Sequence, residues 1–302
     1  MSAWIVSVEG TETGHLLALA LALAAAFLHA LFGALQKGRH DPWMSRGAID
    51  LAYGLMAAPV ALFVVPWPDA ALIPFFALVW LIHLGYKLAQ GYTYTLGSYT
   101  VVYPVVRGTG PLFAVIGAGI LFGERYNVLQ WVGVGLLVSG IYGLALYNLR
   151  HWQIGRDKLR PALAMAVLTG AFVALYTTVD AWGIRATPDP FTFLAWFFMI
   201  DGLAMPLIAA RRWRAMAPER RPSLGPLALR GVIGAFVAFF SFGAIMLATR
   251  LDRVGEAAVL RETSTVFAAL IGWLVLGERT GPRRVALMGL IALGAVVVEA
   301  AG

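Results

Sequence analysis

Residues 104–142 read PVVRGTGPLFAVIGAGILFGERYNVLQWVGVGLLVSGIY, and residues 258–296 read AVLRETSTVFAALIGWLVLGERTGPRRVALMGLIALGAV. The two stretches align without a gap at a constant offset of 154 positions. A repeat at half the chain length indicates two copies of one structural unit. The residues of the first stretch that recur in the second are Val105, Arg107, Thr109, Phe113, Ala114, Gly123, Glu124, Arg125, Gly135, Leu136 and Gly140.

Each copy of the repeat has the same layout. An apolar segment carries one arginine, Arg107 or Arg261, and is followed by a Gly-Glu-Arg turn at residues 123–125 or 277–279 and by a second apolar segment. Charged side chains are costly inside a membrane. The repeat therefore places one such charge at the same depth in both halves.

The composition is that of an integral membrane protein. Of the 302 residues, 60% are hydrophobic and 13% are charged, whereas soluble domains carry roughly a quarter charged residues. The apolar runs have the length of membrane-spanning helices, about 20 residues, and not that of barrel strands. The sequence therefore predicts an all-α polytopic membrane protein.

Several classes of function are excluded at this stage. The chain has no cysteine, so disulfides, thiolate metal sites and cysteine nucleophiles are absent. The net charge of +7 reflects arginines that fall mainly between the apolar runs, which is typical of membrane proteins and does not indicate nucleic-acid binding. No sequence pattern indicates a metal, a cofactor or an enzyme active site.

The apolar runs predict ten transmembrane helices, five in each half. The first half covers residues 1–147, a polar loop covers residues 148–160, and the second half covers residues 161–302. Because five is odd, two homologous halves of one chain have opposite orientations, and inverted repeats are typical of secondary transporters. The predicted helices cover residues 14–35, 47–65, 70–94, 98–122, 129–147, 161–182, 191–210, 224–249, 255–276 and 284–300.

The distribution of basic residues predicts the orientation. Most Lys and Arg residues fall in the loops of one face, and cytoplasmic loops carry this excess. The basic residues of the opposite face are Arg125, Arg185, Arg250 and Arg253. We therefore expect both termini outside, in the inner membrane of a bacterium.

The arginines of the repeat are the first candidates for a substrate site. Arg107 and Arg261 lie at equivalent depths of the fourth and ninth predicted helices, and inverted repeats bring such positions together near the membrane midplane. The guanidinium suits carboxylate and phosphate groups. The alternative is structural, because Glu262, Asp201 or Asp180 could neutralise each arginine. The two copies differ in one respect: Pro104 and Pro111 flank Arg107 and predict a kink or an opened turn there.

The third predicted helix offers a second group of candidates on one helical face. Trp80, His83, Lys87, Gln90 and Tyr94 are spaced by 3, 4, 3 and 4 positions. We expect Trp80, His83, Lys87 and Gln90 to contact substrate. The alternatives are ordinary aromatic packing, and for Lys87 a side chain that reaches to the membrane interface.

Further candidates lie in other helices. His29 in the first helix is either a cavity residue or a packed core histidine. Asp201 lies near the centre of the seventh helix and Asp180 near the end of the sixth. Together with Glu262 they are candidates for a titrating group or for ion pairs. For Asp201, we expect either proton exchange or a permanent pair with Arg107 or Arg261.

The sequence resembles the EamA-type transporters of the drug/metabolite transporter superfamily. The resemblance rests on five-helix repeats, each with a Leu-Phe-Gly-Glu-Arg or Leu-Gly-Glu-Arg turn before a short last helix. One branch of the family is similar at residues 29–37 (HALFGALQK), 103–108 (YPVVRG) and 261–264 (RETS). Gly33 stands where members of that branch commonly have an asparagine. Because residues 103–108 resemble this branch, Tyr103 is a further candidate for substrate binding.

The resemblance implies a carrier that works by alternating access around a cavity lined by helices 1, 3, 4, 6, 8 and 9. Some members of the branch are associated with phosphonate use, and related sugar-phosphate translocators bind anions through basic residues of helices 4 and 9. We therefore expect a secondary transporter of a small anionic or zwitterionic metabolite: a carboxylate, an organophosphate or phosphonate, or an amino acid. A coupling proton or a counter-substrate is a further partner, and the protein is expected to be a monomer or a homodimer.

One alternative stays open at this stage. The chain could export amino acids, cationic compounds or apolar drugs, with both membrane arginines in structural ion pairs. A membrane enzyme lacks a supporting motif, and a channel would need an open polar lining or a filter sequence.

Overall fold

The fold is all-helical throughout the part of the chain that the structure describes. The computed structural model of the protein describes residues 2–36, 41–96, 99–150, 156–274 and 281–302. The helices are α1 (Ser2–Ser7), α2 (Glu12–Gln36), α3 (Pro42–Phe63), α4 (Ile73–Leu96), α5 (Tyr99–Phe122), α6 (Val128–Arg150), α7 (Arg156–Ala186), α8 (Pro190–Asp201), α9 (Ala204–Ala215), α10 (Leu224–Leu251), α11 (Val254–Arg261), α12 (Ser264–Leu274) and α13 (Pro282–Ala300). Two 3₁₀ turns, Ala70–Leu72 and Pro218–Arg220, complete the described secondary structure.

The described residues contain eight helical stretches that are long and apolar enough to cross a membrane. These are Glu12–Phe32, Pro42–Phe63, Ala70–Leu96, Val102–Phe122, Val128–Tyr147, Leu159–Ala186, Pro190–Ala215 and Leu224–Leu251. They coincide with the first eight predicted helices and confirm an all-α membrane protein. The full set of ten spans in two inverted repeats stays a prediction. The second Gly-Glu-Arg turn, at residues 277–279, and part of the predicted inter-repeat loop, residues 151–155, lie outside the described residues.

Two helices predicted as single spans are interrupted. The seventh divides into α8 and α9 at Gly202, whose N–H bonds to the carbonyls of Ile200 and Phe198. The ninth divides into α11 and α12 at residues 262–263. Each break follows directly after an ionisable residue, Asp201 or Arg261, so backbone carbonyls become available beside charged side chains.

The helix around Arg107 contains no opened turn, and the kink that its prolines also predict stays a prediction. The helix α5 continues from Tyr99 to Phe122 with both prolines inside it. The interruption lies at the equivalent depth of the other copy, where hydroxyl groups compete for backbone carbonyls. Thr263 donates a hydrogen bond to the carbonyl of Leu260 (2.7 Å), and Thr265 donates one to the carbonyl of Glu262 (2.6 Å).

The last helices of the two halves pack directly on each other through glycines. A Cβ atom at Gly140 in α6 would lie 2.7 Å from Cγ1 of Ile291 in α13, and one at Gly294 would lie 2.8 Å from Cβ of Leu137. Gly140 and Gly294 are repeat equivalents, and so are Leu137 and Ile291. The same contact therefore occurs twice, with the two halves exchanged.

An aromatic core joins α3, α4, α8 and α10 on one side of the molecule. Tyr53, Phe76, Phe193, Phe197 and Phe198 are buried together in it. Rings of Tyr53 and Phe198 meet edge to face at 5.4 Å between centroids. This packing holds α3 and α8 against α4, and thereby fixes the polar side chains that the three helices share.

Candidate functional site

A cavity of about 100 Å³ lies where α3 begins and α4 ends. It is mostly apolar, but basic, acidic and amide side chains enter it from several helices. Binding sites for small molecules combine an apolar lining with a few polar groups in the same way, but they usually have volumes of about 300–1,000 Å³. The residues that line it are His29, Phe32, Pro42, Trp43, Arg46, Tyr53, His83, Tyr86, Lys87, Gln90, Gly91, Tyr94, Tyr103, Phe197, Phe198, Asp201, Met205, Ala238, Ser241 and Phe242.

Some of the predicted site residues line the cavity, and others are not part of its lining. The ones at the cavity are His29, His83, Lys87, Gln90, Tyr103 and Asp201, and the ones elsewhere are Trp80, Arg107, Arg261, Asp180 and Glu262. The helices also differ from the set that the resemblance implied, because α3, α8 and α9 contribute lining residues while the described residues of α7 and α11 do not. Phe242 and Tyr86 line the cavity and also contact residues outside its lining. The ring of Phe242 lies 4.8 Å from the guanidinium of Arg261, and the ring of Tyr86 lies 4.9 Å from that of Tyr176.

Lys87 is the centre of a buried ionic network. Its Nζ donates to Oδ2 of Asp50 (2.6 Å), to Oδ1 of Asp201 (2.7 Å), to the hydroxyl of Tyr53 (3.0 Å) and to the backbone carbonyl of Asp201 (3.0 Å). The hydroxyl of Tyr53 donates in turn to Oδ2 of Asp201 (2.5 Å). Lys87 therefore does not reach to an interface. Asp201 pairs with Lys87, and not with Arg107 or Arg261, which were the partners in one of the two alternatives for this residue.

Two members of this network were missed by the sequence analysis. Arg46 had been assigned to a loop and Asp50 to the very start of the second predicted helix. Asp41 caps α3 by accepting from the N–H groups of Trp43 and Met44, so the helix begins earlier and carries Arg46 inside it. Nε of Arg46 lies 2.8 Å from Oδ1 of Asp50, one helical turn away. The spacing of Arg46, Asp50 and Tyr53 by four and three positions was the available signal.

His83 forms a second buried polar contact. Its Nε2 lies 2.9 Å from Oδ2 of Asp180, which joins α4 to α7. The imidazole packs against the ring of Tyr176 at 4.7 Å and against that of Phe197 at 4.8 Å between centroids. The other carboxylate oxygen of Asp180 is buried without a hydrogen bond from any described residue.

Arg107 is bound to the broken helix of the second half. Its Nε lies 2.9 Å from Oε2 of Glu262. The Nη2 group donates to Oγ of Ser264 (2.6 Å) and to the backbone carbonyl of Arg261 (3.2 Å). A carboxylate at ion-pair distance, a hydroxyl and a backbone carbonyl at the break thus surround the guanidinium of Arg107, whose Nε makes no hydrogen bond of good geometry to a described residue.

Arg261 has a different environment although it is buried. Its Nη1 donates one long hydrogen bond to the hydroxyl of Tyr176 (3.4 Å), and its guanidinium stacks over the ring of Phe242 at 4.8 Å. Its Nε has no hydrogen-bond acceptor among the described residues. No carboxylate of the described residues lies within ion-pair distance of this arginine. Arg261 is therefore a buried cation without a described carboxylate at ion-pair distance, although Glu262 and Asp180 lie near enough to interact with its charge.

The remaining candidates make local contacts. The amide of Gln90 donates to the hydroxyl of Tyr86 (2.6 Å), and the guanidinium of Arg107 lies 5.9 Å from the centre of the Tyr103 ring. The indole Nε1 of Trp80 is buried without a hydrogen bond in the described structure. No group of three His, Asp or Glu side chains is arranged for metal binding among the described residues.

The end of the molecule opposite the cavity is closed by polar contacts. The carboxylate of Glu124, in the first Gly-Glu-Arg turn, accepts from the N–H groups of Val254 (2.6 Å) and Gly255 (3.1 Å) at the start of α11. Burial, together with the adjacent carboxylate of Glu124, raises the pKa of the Tyr126 phenol. Arg253 bonds to Glu256 and to the carbonyl of Arg125. These contacts join α5 and α6 to α11.

Contacts of His15 and Arg250 add to the polar contacts that close this end of the molecule. His15 of α2 contacts the carboxylates of Asp252 and Glu299. Arg250 bonds to Glu9 and to the carbonyl of Thr187 (2.6 Å). Helices of both halves are thus connected at this end.

Comparison with known proteins gives a family for part of the chain. Residues 160–299 match the sequence profile of the EamA-like transporter family, which is part of the drug/metabolite transporter superfamily. The predicted resemblance is confirmed by this match. The Uncharacterized protein y4nH of Sinorhizobium fredii is 37% identical over 46 residues, which are 15% of this chain. The match spans 39% of the length of that relative.

A solved structure, titled "Crystal structure of protein", has a similar fold. It superposes with a TM-score of 0.69 and covers 94% of this chain and 96% of its own, at 18% sequence identity. This similarity shows a shared fold.

Proposed function

Because residues 160–299 belong to the EamA-like transporter family, we propose that the protein is a secondary transporter that moves a small anionic or zwitterionic metabolite across a membrane by alternating access. The family suggests a transporter of the drug/metabolite type and not an enzyme. The substrate carries a carboxylate, phosphate or phosphonate group, with or without an amine.

The lack of a described carboxylate at ion-pair distance from buried Arg261 is the observation that supports an anionic substrate. A buried ion without a partner is strongly unfavourable, and ionisable residues in the membrane usually mark a substrate or ion pathway. Carboxylates lie within ion-pair distance of Arg107 and Lys87, whereas no described carboxylate lies that close to Arg261. The acidic group of a substrate would supply the missing negative charge.

Alternating access is supported by where the cavity and the closed end lie. The cavity is at one end of the molecule, while Glu124 and its neighbours join the helices at the other end. The excess of basic loop residues supports an orientation with the cavity on the cytoplasmic side and both termini outside. We assign the structure to an inward-facing state, in the inner membrane of a bacterium, of a monomer or a homodimer.

The repeat contacts favour two inverted five-helix halves, residues 1–147 and 161–302, joined by residues 148–160. Contacts between Gly140 and Ile291 and between Gly294 and Leu137 are exchanged by the repeat. Such an exchange is what a two-fold axis between the halves produces. Movement of the halves about this axis would open the other end.

The side chains divide into three proposed roles. Arg261 binds the acidic group after the ring of Phe242 turns away, since that ring stacks on the guanidinium and lines the cavity. His83 and Gln90 shape the cavity, together with His29, Tyr103 and the more distant Trp80. Glu262 is the proposed proton acceptor, because its protonation would release Arg107 toward the substrate. The other two carboxylates are paired, Asp180 with His83 and Asp201 with Lys87.

A second candidate function is export of apolar, cationic or amino-acid compounds. Aromatic rings supply much of the cavity wall, among them Tyr86, Phe198 and Phe242, and such rings attract organic cations. In that function Arg107 and Glu262 are a structural ion pair.

A thermal-shift screen separates the two functions. Detergent-purified protein is heated with carboxylates, phosphate esters, phosphonates, amino acids or organic cations, and a specific ligand raises the melting temperature through mass action. Arg261→Ala is compared with Arg283→Ala, which removes an exposed arginine of α13. Saturable uptake of the hit into proteoliposomes then tests transport.

The two outcomes are distinct. Stabilisation by an anion that is lost in Arg261→Ala and kept in Arg283→Ala supports the anion site and names its class. Stabilisation by cations or apolar amines that both variants retain would overturn the anionic substrate and favour export.

A further inference from the structure

The oxygen atoms around Lys87 form a cage for a cation. Four of them approach Nζ: Oδ2 of Asp50, Oδ1 of Asp201, the hydroxyl of Tyr53 and the backbone carbonyl of Asp201, at 2.6 to 3.0 Å. They belong to α3 and α8, while the lysine comes from α4. An ammonium has three hydrogens, so the cage offers more acceptors than Lys87 has donors.

The break between α8 and α9 supplies part of this cage. Asp201 is the last residue of α8, where the helix dipole adds partial negative charge. In transporter folds, carbonyls freed at interrupted helices and the C-terminal ends of half-helices bind coupling cations. The oxygen atoms around Nζ of Lys87 are therefore of the kinds that bind cations, and the ammonium group of the lysine occupies the position of the cation.

One monovalent cation balances the charges of the cage. Asp50 and Asp201 contribute two negative charges, and Arg46, 2.8 Å from the second oxygen of Asp50, contributes one positive charge. That oxygen accepts no hydrogen bond within the described part of the chain, and Asp50 is 0% exposed. One further positive charge makes the group neutral, whereas a divalent ion would leave an excess.

We propose that Asp50, Asp201 and Tyr53 form a binding site for a monovalent cation of the ammonium type, and that Lys87 is its covalently tethered occupant. The lysine does what a bound alkali-metal ion does elsewhere: it joins two helices through their carboxylates. The wild-type protein then needs no free cation at this place. Removal of the lysine side chain opens the site to one, and the cavity gives access because Tyr53, Lys87 and Asp201 line it.

The variant Lys87→Ala with n-propylammonium tests this proposal. n-Propylammonium has the three carbons and the nitrogen that the substitution removes beyond Cβ. Purified Lys87→Ala is melted in chloride salts of n-propylammonium, ammonium, sodium and choline. We expect a saturable rise of the melting temperature with n-propylammonium, a smaller one with ammonium and sodium, and none with the bulky choline.

The controls make the result specific to the cage. Lys87→Ala combined with Asp201→Asn removes one charge of the cage and should lose the response. Wild-type protein, whose site is filled, should melt at the same temperature in all four salts. The absence of a saturable response in Lys87→Ala would overturn the proposal. A saturable rise of the wild-type melting temperature with sodium would also overturn the proposal. This measurement on the wild type can be made even if Lys87→Ala does not fold. Neither readout involves transport, so both are independent of the anionic substrate.

Discussion

Arg107 donates a hydrogen bond to the backbone carbonyl of Arg261, its own counterpart 154 positions later in the repeat. Two repeat-equivalent residues therefore touch where α5 meets the end of α11. Their side chains nevertheless have different partners, since Arg107 lies 2.9 Å from Glu262 and Arg261 stacks on Phe242. The asymmetry leads to opposite expectations for the two residues.

Arg107→Ala should destabilise the protein. The substitution leaves the buried carboxylate of Glu262 without its counter-charge, and breaking one side of a buried ion pair costs about 3–5 kcal/mol. The measurement is the melting temperature or the free energy of unfolding in detergent. Adding Glu262→Gln to the variant should restore most of the loss, because the uncompensated charge is then gone. An unchanged stability of Arg107→Ala would show that the pair is not formed.

Arg261→Ala should leave the stability unchanged or increase it. No carboxylate among the described residues lies within ion-pair distance of this arginine, so its removal breaks no direct ion pair and removes the cost of burying its charge. The same melting experiment checks this, with Arg261→Lys as the charge-conserving comparison. Arg261→Lys should keep the stability of the wild type. A loss as large as that of Arg107→Ala would mean that Arg261 is held by a structural ion pair.

The sequence predicted the helices and several cavity residues for physical reasons. Apolar run length alone located the first eight spans, because the bilayer sets their length. Helical periodicity placed His83, Lys87 and Gln90 on one face of α4, and all three line the cavity.

The partners of these residues depended on tertiary contacts that periodicity does not contain. Asp50 was read as the edge of a span, and its distance from Lys87 follows from how α3 packs on α4. The break after Arg261 was missed because the prolines pointed to Arg107. The hydroxyl groups of Thr263 and Thr265 bond to backbone carbonyls at this break, so they indicated its position better than the prolines did.

A glycine substitution tests the packing of α6 on α13. A Cβ atom at Gly294 would lie 2.5 Å from the backbone nitrogen of Leu137 and 2.6 Å from the carbonyl oxygen of Gly133. Backbone atoms cannot give way as a flexible side chain does, so we expect Gly294→Ala to lower the free energy of unfolding by about 1–3 kcal/mol.

Gly289→Ala in the same helix is the matched control. A Cβ atom there meets nothing within 4 Å, and alanine is the better helix former by roughly 0.5–1 kcal/mol. The two variants should thus shift the melting temperature in opposite directions. Equal shifts would contradict the close contact between the two halves.

Glu124→Gln should favour opening of the end opposite the cavity. The carboxylate caps α11 through the N–H groups of Val254 and Gly255, and an interaction of this type is worth about 1 kcal/mol. Losing it changes the ratio of closed to open molecules roughly fivefold.

The measurement uses the absence of cysteine from the sequence. Ala258→Cys introduces one thiol at a buried position of α11, beyond the Glu124 contact. A membrane-impermeant maleimide, added from outside to intact cells or oriented vesicles, should label this thiol faster in the Glu124→Gln background. Glu12→Gln removes an exposed carboxylate at the start of α2 and should leave the rate unchanged. Equal rates in both backgrounds would exclude Glu124 as the contact that holds this end closed, because its loss would then cost the closed state nothing.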